Sequence, residues 1–392
     1  MAFMIFGDSF SFPEGNAATN RVYTFAKGFT ENGISTHVIC FQNEYVNTCN
    51  GITSGIKYYH PFNQTKRNKF LIVRRWLKFV KYIRAVKLVR KINKEEKIIA
   101  IDLFTYSFLT HLFVFVLARS LRTKLLFDRC EHPLQFYKDN VFDQTSAKLK
   151  LILETKLCDG MFCISNYLID FYKNWGIDQR KLFLVPSTVD TERFNNHFNS
   201  RLDFSYILYC GSLTILKDGV NILIESFKRI SEKYPEINLV LIGKGDSIND
   251  EIVIKDLALK LNIDKRVIFL GQLPRTEIPA YLCNAKILAL ARPRSIVADA
   301  GFPSKLTEYL ATGNPVVVTK VGEIPLYLKD DVSAFLSEPG SIDSFAGRLD
   351  FVLGNYEFAQ RVGLKGKELT LTIFNYNFQS KRMIAFIDSL GT

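Results

Sequence analysis

Short apolar runs alternate with amphipathic segments along the whole chain, and this alternation constrains the fold more than any other feature of the sequence. The apolar runs of the first half cover residues 2–6, 37–41, 98–101, 125–127, 161–164 and 182–185. Those of the second half cover residues 207–210, 239–242, 267–270, 287–291 and 316–319. Strands that alternate with helices predict parallel sheets covered by helices on both faces.

The length of 392 residues favours two domains, because one hydrophobic core rarely serves more than about 300 residues. Residues 191–205 are polar and show no sustained apolar period, so the linker is expected there. The prediction is an α/β chain with two Rossmann-like, doubly wound parallel-sheet domains, 1–190 and 206–370, facing a central cleft. Residues 371–392 form a final helix. Such sheets bind ligands in the loops at the carboxyl ends of their strands.

Composition and targeting signals narrow the class of protein further. A hydrophobic content of 47% with 12 prolines argues against disorder. The seven cysteines contain no CxxC pair, which indicates small thiols in a reducing compartment. The segment MAFMIFGDSF lacks a basic region and a cleavage site, so no secretion signal is predicted. Residues 103–118 fall short of a membrane span and predict a helix buried against the sheet.

Most of the net charge of +12 lies in one segment. Residues 66–97 hold 13 Lys or Arg against two Glu, a net charge of +11. Apolar residues recur there at steps of three and four, namely Ile72, Trp76, Phe79, Ile83 and Val86. A basic amphipathic helix suits an anionic membrane surface, which would place a cytoplasmic protein on the inner face of the membrane. The alternative is a solvated helix whose apolar stripe packs on its own domain. Nucleic acid is not an expected partner, because no binding module for it is visible.

Three glycine-containing turns follow expected strands and precede expected helices. They are residues 7–21, 210–219 and 241–247. Such turns present backbone N–H groups and the positive end of a helix dipole to an anion. In the second turn, Lys217 can meet a diphosphate as a point charge, and a merely solvated lysine is the alternative. The third turn is expected to border a nucleotide.

The densest group of candidate residues is GFPSKLTEYLATGNPVVVT, residues 301–319. Pro303 and Ser304 predict a helix start, and Gly313 its end. The helix N-terminus and Lys305 can stabilise negative charge on a departing diphosphate, while Glu308 can accept hydrogen bonds from ribose hydroxyls. The structural alternative is an ordinary helix with an internal Lys–Glu pair.

These segments together resemble the family 4 retaining glycosyltransferases. The resemblance is carried by LARPRSIVADAGFPSKLTEYLATGNPVVVTKVGEIPLYL (residues 290–328), CISNYL (163–168), VPSTVDTERF (185–194) and the three glycine turns. It implies the GT-B fold, a nucleotide-diphosphate sugar bound mainly by the C-terminal domain, and a final helix that returns to the N-terminal domain. It also implies retention at the anomeric carbon without metal or other cofactor. The expected acceptor is a glycan or lipid-linked oligosaccharide in bacterial cell-surface polysaccharide or glycoconjugate synthesis.

Carried over by position, the resemblance assigns Glu308 to the ribose, Lys217 to the phosphates, and Gly15 to the loop that approaches both substrates. Two positions depart from the family pattern. Ala300 stands where the first Glu of a Glu-x7-Glu motif is expected, and Ser212 stands where an arginine is usual. These departures put the diphosphate clamp and the contact to the sugar hydroxyls in question.

Replacements for both missing groups are expected nearby. Lys305 would supply the positive charge, and Asp299 or the backbone N–H groups around Gly301 would replace the carboxylate. His132, in DRCEHP, is expected to face the cleft, although Glu131 competes for that role and a structural histidine is the alternative.

The expected catalytic residues are His132, Lys217, Lys305 and Glu308. The expected sugar-donor site comprises Gly15, Gly211, Ser212, Lys217, Gly243, Asp299, Gly301, Phe302, Pro303, Ser304, Lys305, Leu306 and Glu308. The expected acceptor site comprises Glu14, Gly15, Asn16 and His132. Two other functions fit the same architecture: a nucleotide-sugar epimerase, for which no set of acid and base carboxylates is visible, and a non-catalytic sugar-nucleotide-binding protein.

Overall fold

A computed structural model of the chain describes residues 1–15, 17–42, 48–62, 64–133, 148, 151–152 and 154–391. These residues form two units. The first unit comprises Met1–Thr188 together with Tyr376–Thr392, and the second comprises Val189–Asn375.

The first unit is built on a sheet of eight described strands. They are β1 (Ala2–Gly7), β2 (Ser35–Cys40), β3 (Asn50–Thr53), β4 (Ile56–Tyr59), β5 (Ile98–Phe104), β6 (Lys124–Arg129), β7 (Gly160–Cys163) and β8 (Leu182–Leu184). Their order in the sheet is β3-β4-β2-β1-β5-β6-β7-β8. Neighbouring strands are parallel except β3 and β4, which form an antiparallel hairpin at one edge. This hairpin was not predicted, because its half-exposed strands contain no continuous apolar run.

Helices cover this sheet. They are α1 (Ala17–Glu31), α2 (Leu71–Glu95), α3 (Phe108–Ser120), α4 (Asn166–Asn174) and the last helix of the chain, α14 (Tyr376–Ser389). Helix α14 packs closely on α1, since a Cβ on Gly28 would overlap the Ser380 side chain. The Tyr376 hydroxyl also donates a hydrogen bond of 2.8 Å to Glu31. Met383, from the same helix, is fully buried in the core of this unit.

Helix α3 is only partly buried, whereas the sequence predicted a helix buried against the sheet. Its inner face is buried, but Leu109 is 68% exposed and Val116 is 59% exposed. The reason is that α3 packs on the sheet with one side only, whereas its composition is apolar on all sides. None of the helices among the described residues combines the length and the apolar character needed to cross a bilayer.

The second unit holds a six-stranded parallel sheet. Its strands are β9 (Ser205–Cys210), β10 (Ile237–Ile242), β11 (Val267–Gly271), β12 (Ile287–Leu290), β13 (Val316–Thr319) and β14 (Phe335–Ser337). Their order is β11-β10-β9-β12-β13-β14. This is the doubly wound order in which the winding direction reverses between the first and fourth strands, here β9 and β12. Strand β14, a three-residue strand at the edge of the sheet, was not predicted.

The described α-helices of the second unit range from four to 15 residues. They are α5 (Ile215–Asp218), α6 (Val220–Ser231), α7 (Ile248–Lys260), α8 (Ile278–Cys283), α9 (Ile296–Ala300), α10 (Ser304–Thr312), α11 (Ile324–Tyr327), α12 (Ile342–Gly354) and α13 (Tyr356–Thr370). Two sheets of parallel strands flanked by helices confirm the predicted α/β class with two Rossmann-like units.

A buried ion pair ties α1 to the sheet of the first unit. The Arg21 guanidinium donates to both carboxylate oxygens of Asp128 at 2.8 and 2.9 Å, and also to the Val185 carbonyl oxygen at 3.1 Å. Both side chains are almost completely buried. Because the charges are shielded from water, each one depends on the other for its solvation.

We expect Arg21→Met to lower the free energy of unfolding of the first unit by about 3–5 kcal/mol, because Asp128 would be left as an uncompensated buried charge. Urea denaturation followed by circular dichroism measures the loss. The control is Arg119→Met, which removes a 2.9 Å pair with Asp159 at a 44% exposed side chain and is expected to cost less than about 1 kcal/mol. Equal losses in the two variants would contradict this account of Arg21.

Candidate functional site

The candidate site lies at the carboxyl ends of β9 and β12, where the second sheet reverses its winding. The loops after β9, β10 and β12 approach one another so closely that glycine is required. A Cβ on Gly219, whose φ is +66°, would overlap the Ala291 carbonyl oxygen. A Cβ on Gly243, whose φ is +133°, would overlap the Gly211 carbonyl oxygen. Backbone without side chains therefore lines the point where such sheets bind nucleotides.

Lys217 lies in the short helix α5, directly after the loop that follows β9. Its side chain is exposed, whereas its neighbour Asp218 is buried. Ser212, in the position where the family usually carries an arginine, is also exposed. An exposed lysine beside these glycine-lined loops can approach a phosphate group as a point charge.

Lys305, which is expected to supply positive charge for the diphosphate, has two partners within the second unit. Its ammonium lies 2.9 Å from Asp218 Oδ2 and 2.8 Å from the Tyr209 hydroxyl oxygen. A Cβ on Gly211 would overlap the same ammonium group. Lys305 thus connects the start of α10 to the loops after β9, and its charge is already compensated by a carboxylate.

The two partners of this ion pair have shifted pKa values. Burial lowers the pKa of Lys305, and Asp218 only partly opposes that shift. Burial alone would raise the pKa of Asp218, but the charge and the hydrogen bond of Lys305 outweigh it and lower the pKa. The Asp218 carboxylate therefore stays ionised next to the lysine that holds it.

Glu308 forms an ion pair that the sequence analysis missed. Its Oε1 lies 2.6 Å from Arg193 Nη1, and both side chains are about five-sixths buried. The other guanidinium nitrogen, Nη2, donates to the Arg275 carbonyl oxygen at 3.3 Å. Arg193 belongs to VPSTVDTERF, which was used for the resemblance, but it is 115 residues from Glu308 and no local spacing links the two.

The start of α10 is held by packing. Pro303 precedes the helix and Ser304 is its first residue, with no side-chain cap. The ring of Phe302 lies 5.4 Å from that of Tyr327 and 5.3 Å from that of Phe374. Leu306 is fully buried. Phe302 and Leu306 were expected at the sugar-donor site, and the structure shows that their side chains anchor the helix.

The expected replacements for the missing carboxylate have different environments. Ala300 is fully buried at the end of α9. The N–H of Gly301 donates to the Val297 carbonyl oxygen at 3.2 Å, so this group is engaged in the cap of α9. Asp299 is half-buried on the same short helix. Both replacements therefore stay predictions: the Asp299 side chain is partly exposed, and one backbone N–H group, that of Gly301, is already bonded within the helix cap.

Residues expected at the acceptor site belong to the first unit. A Cβ on Gly15 would overlap the hydroxyl oxygens of Ser11 and Thr19, so a larger residue would displace both side chains. Glu14 is exposed beside it. Asn16 lies outside the described residues.

His132 is 4% exposed and packs edge-on against Phe171, with ring centroids 4.9 Å apart. Burial lowers the pKa of its imidazole, which favours the neutral form near pH 7. This packing fits the structural alternative for His132 as well as a catalytic role.

Comparisons with known proteins show which families and folds this chain resembles. Residues 190–369 match the family described as Glycosyl transferases group 1, and this range covers almost the whole second unit. An uncharacterized glycosyltransferase of Methanocaldococcus jannaschii is 29% identical over 190 residues, 48% of this chain and 45% of that protein. One component of the phosphatidylinositol N-acetylglucosaminyltransferase of Arabidopsis thaliana is 24% identical over 343 residues, 85% of this chain and 70% of that protein. The Escherichia coli UDP-Gal:alpha-D-GlcNAc-diphosphoundecaprenol alpha-1,3-galactosyltransferase is 26% identical over 212 residues, 50% and 52% of the two chains.

Solved structures share the fold along the whole chain. A sucrose-phosphate synthase of Thermosynechococcus elongatus superposes with a TM-score of 0.75 at 14% identity, covering 100% of this chain and 99% of the other. Anabaena HepE, solved in complex with UDP-glucose, has a TM-score of 0.69 at 14% identity, with coverage of 98% and 100%.

The chain therefore has the GT-B fold, and its residues 190–369 match the group 1 glycosyltransferase family. It spans about half the length of most of the curated relatives that it matches.

We expect Asp218→Asn to destabilise the second unit by about 3 kcal/mol, because Lys305 would keep a buried charge without its carboxylate. The double variant Asp218→Asn/Lys305→Met is expected to be more stable than Asp218→Asn alone, since it removes both charges. Chemical denaturation of the three proteins measures this cycle. A single variant within about 0.5 kcal/mol of the parent chain would show that the pair does not hold the site together.

Proposed function

We propose that the chain is a retaining glycosyltransferase that moves a sugar from a nucleotide-diphosphate sugar to a glycan or lipid-linked acceptor. The observation that carries the proposal is the glycine-lined switch point of the second sheet. Lys217 is exposed beside it, and the Lys305–Asp218 pair joins α10, the helix that carries Glu308, to the loop after β9. The site thus combines an anion-binding backbone with an exposed lysine and a positioned carboxylate.

In the proposed mechanism the protein positions the substrates and stabilises charge. Lys217 and the backbone N–H groups at the start of α10 meet the diphosphate, whose negative charge grows as the sugar leaves. The acceptor attacks the face from which the diphosphate departs, and a diphosphate oxygen takes the acceptor's proton. This scheme assigns no metal and no enzyme nucleophile, because positioning and charge stabilisation can supply the required rate.

Glu308 is proposed to bind the ribose hydroxyls. Arg193 fixes one carboxylate oxygen at 2.6 Å, and a carboxylate held in this way loses less side-chain freedom when it binds a ligand. Arg193 is therefore a positioning residue in the proposal, whereas Glu308 contacts the sugar donor.

The proposed acceptor is lipid-linked, within cell-surface polysaccharide or glycoconjugate synthesis. The names of two relatives contain phosphatidylinositol or diphosphoundecaprenol, which supports this choice. The loop around Gly15 and the buried His132 are the candidate acceptor residues in the first unit. A non-catalytic sugar-nucleotide-binding role is the second candidate, because Ala300 and Ser212 replace two residues of the family pattern.

We expect one nucleoside diphosphate or its sugar conjugate to raise the melting temperature of the chain, because a ligand that binds only the folded state stabilises it. Lys217→Ala is expected to remove most of that shift, and Glu308→Ala to lower transfer activity at least about tenfold. Thermal-shift assays with UDP, GDP, ADP and CMP, and transfer assays with the conjugates, measure both effects.

The control is Lys265→Ala, which removes an exposed lysine elsewhere in the second unit and is expected to change neither result. Normal turnover in both site variants would refute the site assignment. Binding without transfer or donor hydrolysis would favour the non-catalytic role.

The basic segment is proposed to bring the chain to an anionic membrane. In the structure it forms α2, on which Arg75, Lys78 and Lys87 are exposed. Lys81 is an exception, because it is buried and donates a 3.0 Å hydrogen bond to the Phe41 carbonyl oxygen. Burial lowers the pKa of Lys81 to about 8. Its role is therefore structural.

We expect the triple variant Arg75→Glu/Lys78→Glu/Lys87→Glu to lose sedimentation with vesicles that contain phosphatidylglycerol, since each basic residue near such a surface contributes about 1 kcal/mol. The control replaces Lys255, Lys260 and Lys265 of the second unit by Glu. This variant has the same net charge as the α2 variant. Loss of sedimentation in both variants would show that net charge alone decides binding, and unchanged sedimentation in the α2 variant would exclude the membrane contact.

A further inference from the structure

The apolar stripe of α2 points away from the unit to which the helix belongs. Residues in a helix are separated by about 100° of rotation. The buried side chains Lys81, Ala85, Val89 and Ile92 define the inner face. Ile72, Trp76, Phe79 and Ile83 lie on the opposite side and are 84%, 62%, 55% and 41% exposed. The structure therefore contradicts the alternative in which this stripe packs on its own domain.

Helix α3 presents a second apolar surface. Leu109, Leu112 and Val116 follow one another at steps of three and four on its outer side and are 68%, 44% and 59% exposed. No charged residue occurs in α3 before Arg119. An outer helix face of this composition is unusual, since water normally faces polar side chains there.

The two helices meet at an aromatic contact. Tyr82 of α2 and Phe113 of α3 pack edge to face with ring centroids 4.8 Å apart. Both rings also pack against Phe41, at 4.9 and 5.8 Å. Phe79 of α2 and Leu109 and Val116 of α3 lie within about one helical turn of this contact, and Trp76 and Ile72 continue the exposed row of α2 toward its N-terminus. We call Ile72, Trp76, Phe79, Ile83, Leu109, Leu112 and Val116 together the apolar face.

The charge around the apolar face identifies what can cover it. Residues 66–94 contain no Asp or Glu, and exposed basic residues border the face at Arg75 and Lys78. Beyond Ile83, the outer side of α2 continues with Lys87, Arg90 and Lys94, all exposed. A second copy of the chain would bring two such basic surfaces together, whereas an anionic lipid layer offers opposite charge and an apolar interior.

We propose that α2 and α3 form one docking surface whose apolar face inserts into the interfacial layer of an anionic bilayer while the basic part of α2 lies on the headgroups. This inference rests on the membrane contact of the proposed function and deepens it in two respects. It adds α3, which no charge pattern indicates, and it makes apolar insertion part of the attachment in addition to electrostatic attraction.

Trp76 provides a direct reporter. The chain has two tryptophans, and Trp175→Phe leaves Trp76 as the single fluorophore. We expect its emission to shift to shorter wavelength with vesicles of phosphatidylglycerol and phosphatidylcholine in equal parts, and to be unchanged with phosphatidylcholine alone. Part of the shift should persist at about 1 M NaCl, where the Debye length is about 3 Å and exposed charges are screened.

The contribution of α3 is tested with Leu109→Ser/Val116→Ser in the same Trp175→Phe background. We expect the partition coefficient for the mixed vesicles to fall at least about tenfold, because two apolar side chains no longer leave water. The matched control is Ile252→Ser/Leu259→Ser on α7, where two residues at the same spacing are 51% and 55% exposed. This control is expected to bind as the parent does.

Three results would overturn the proposal: no emission shift with the mixed vesicles, equal binding of the α3 variant and the parent, or a concentration-dependent dimer that the α3 variant abolishes. The last result would assign the apolar face to a second copy of the chain. The thermal shift with a nucleoside diphosphate is measured on the same proteins. If it persists while vesicle binding fails, the docking surface is wrong and the proposed transferase site stands.

Discussion

The close approach of three loops at the reversal point of the second sheet is the constraint on which the candidate site depends. Parallel strands bring the loops after β9, β10 and β12 to one edge, and the reversal between β9 and β12 separates the helices that follow them. Gly219 and Gly243 allow backbone to touch backbone at positions where any side chain would collide. The result is a surface of peptide groups whose N–H dipoles suit a phosphate.

Around this surface the charges are divided between buried and exposed groups. Lys305 and Asp218 neutralise each other in a buried pair that joins α10 to the loop after β9. A second pair joins Arg193 to Glu308 of the same helix, α10, and orients the Glu308 carboxylate. Lys217 differs from these pairs because its side chain is exposed. A buried ion pair fixes the positions of its two side chains, but both charges lose their contact with water. An exposed lysine, in contrast, stays hydrated and can reach a charged ligand.

The first unit has a well-packed core, but its surface carries exposed apolar side chains. Its core is closed by the buried Arg21–Asp128 pair and by α14, whose side chains complete the packing on α1. On the outside, α2 and α3 leave apolar side chains uncovered next to a dense basic stretch. Exposure of this extent has a free-energy cost in water, and a lipid surface of opposite charge would remove that cost.

The α/β class, the main strands, the glycine turns and the basic amphipathic helix could all be predicted from the amino-acid sequence, because each depends on local periodicity or on residue type. The edge hairpin β3–β4 could not, since it lacks a continuous apolar run, and the short edge strand β14 was missed as well. The pairing of Lys305 with Asp218 and of Glu308 with Arg193 became visible in the folded chain alone, because these partners are 87 and 115 residues apart. The tertiary structure also decided that the stripe of α2 and the outer side of α3 face away from the core. Periodicity shows that a helix has an apolar face, but packing determines which face is buried.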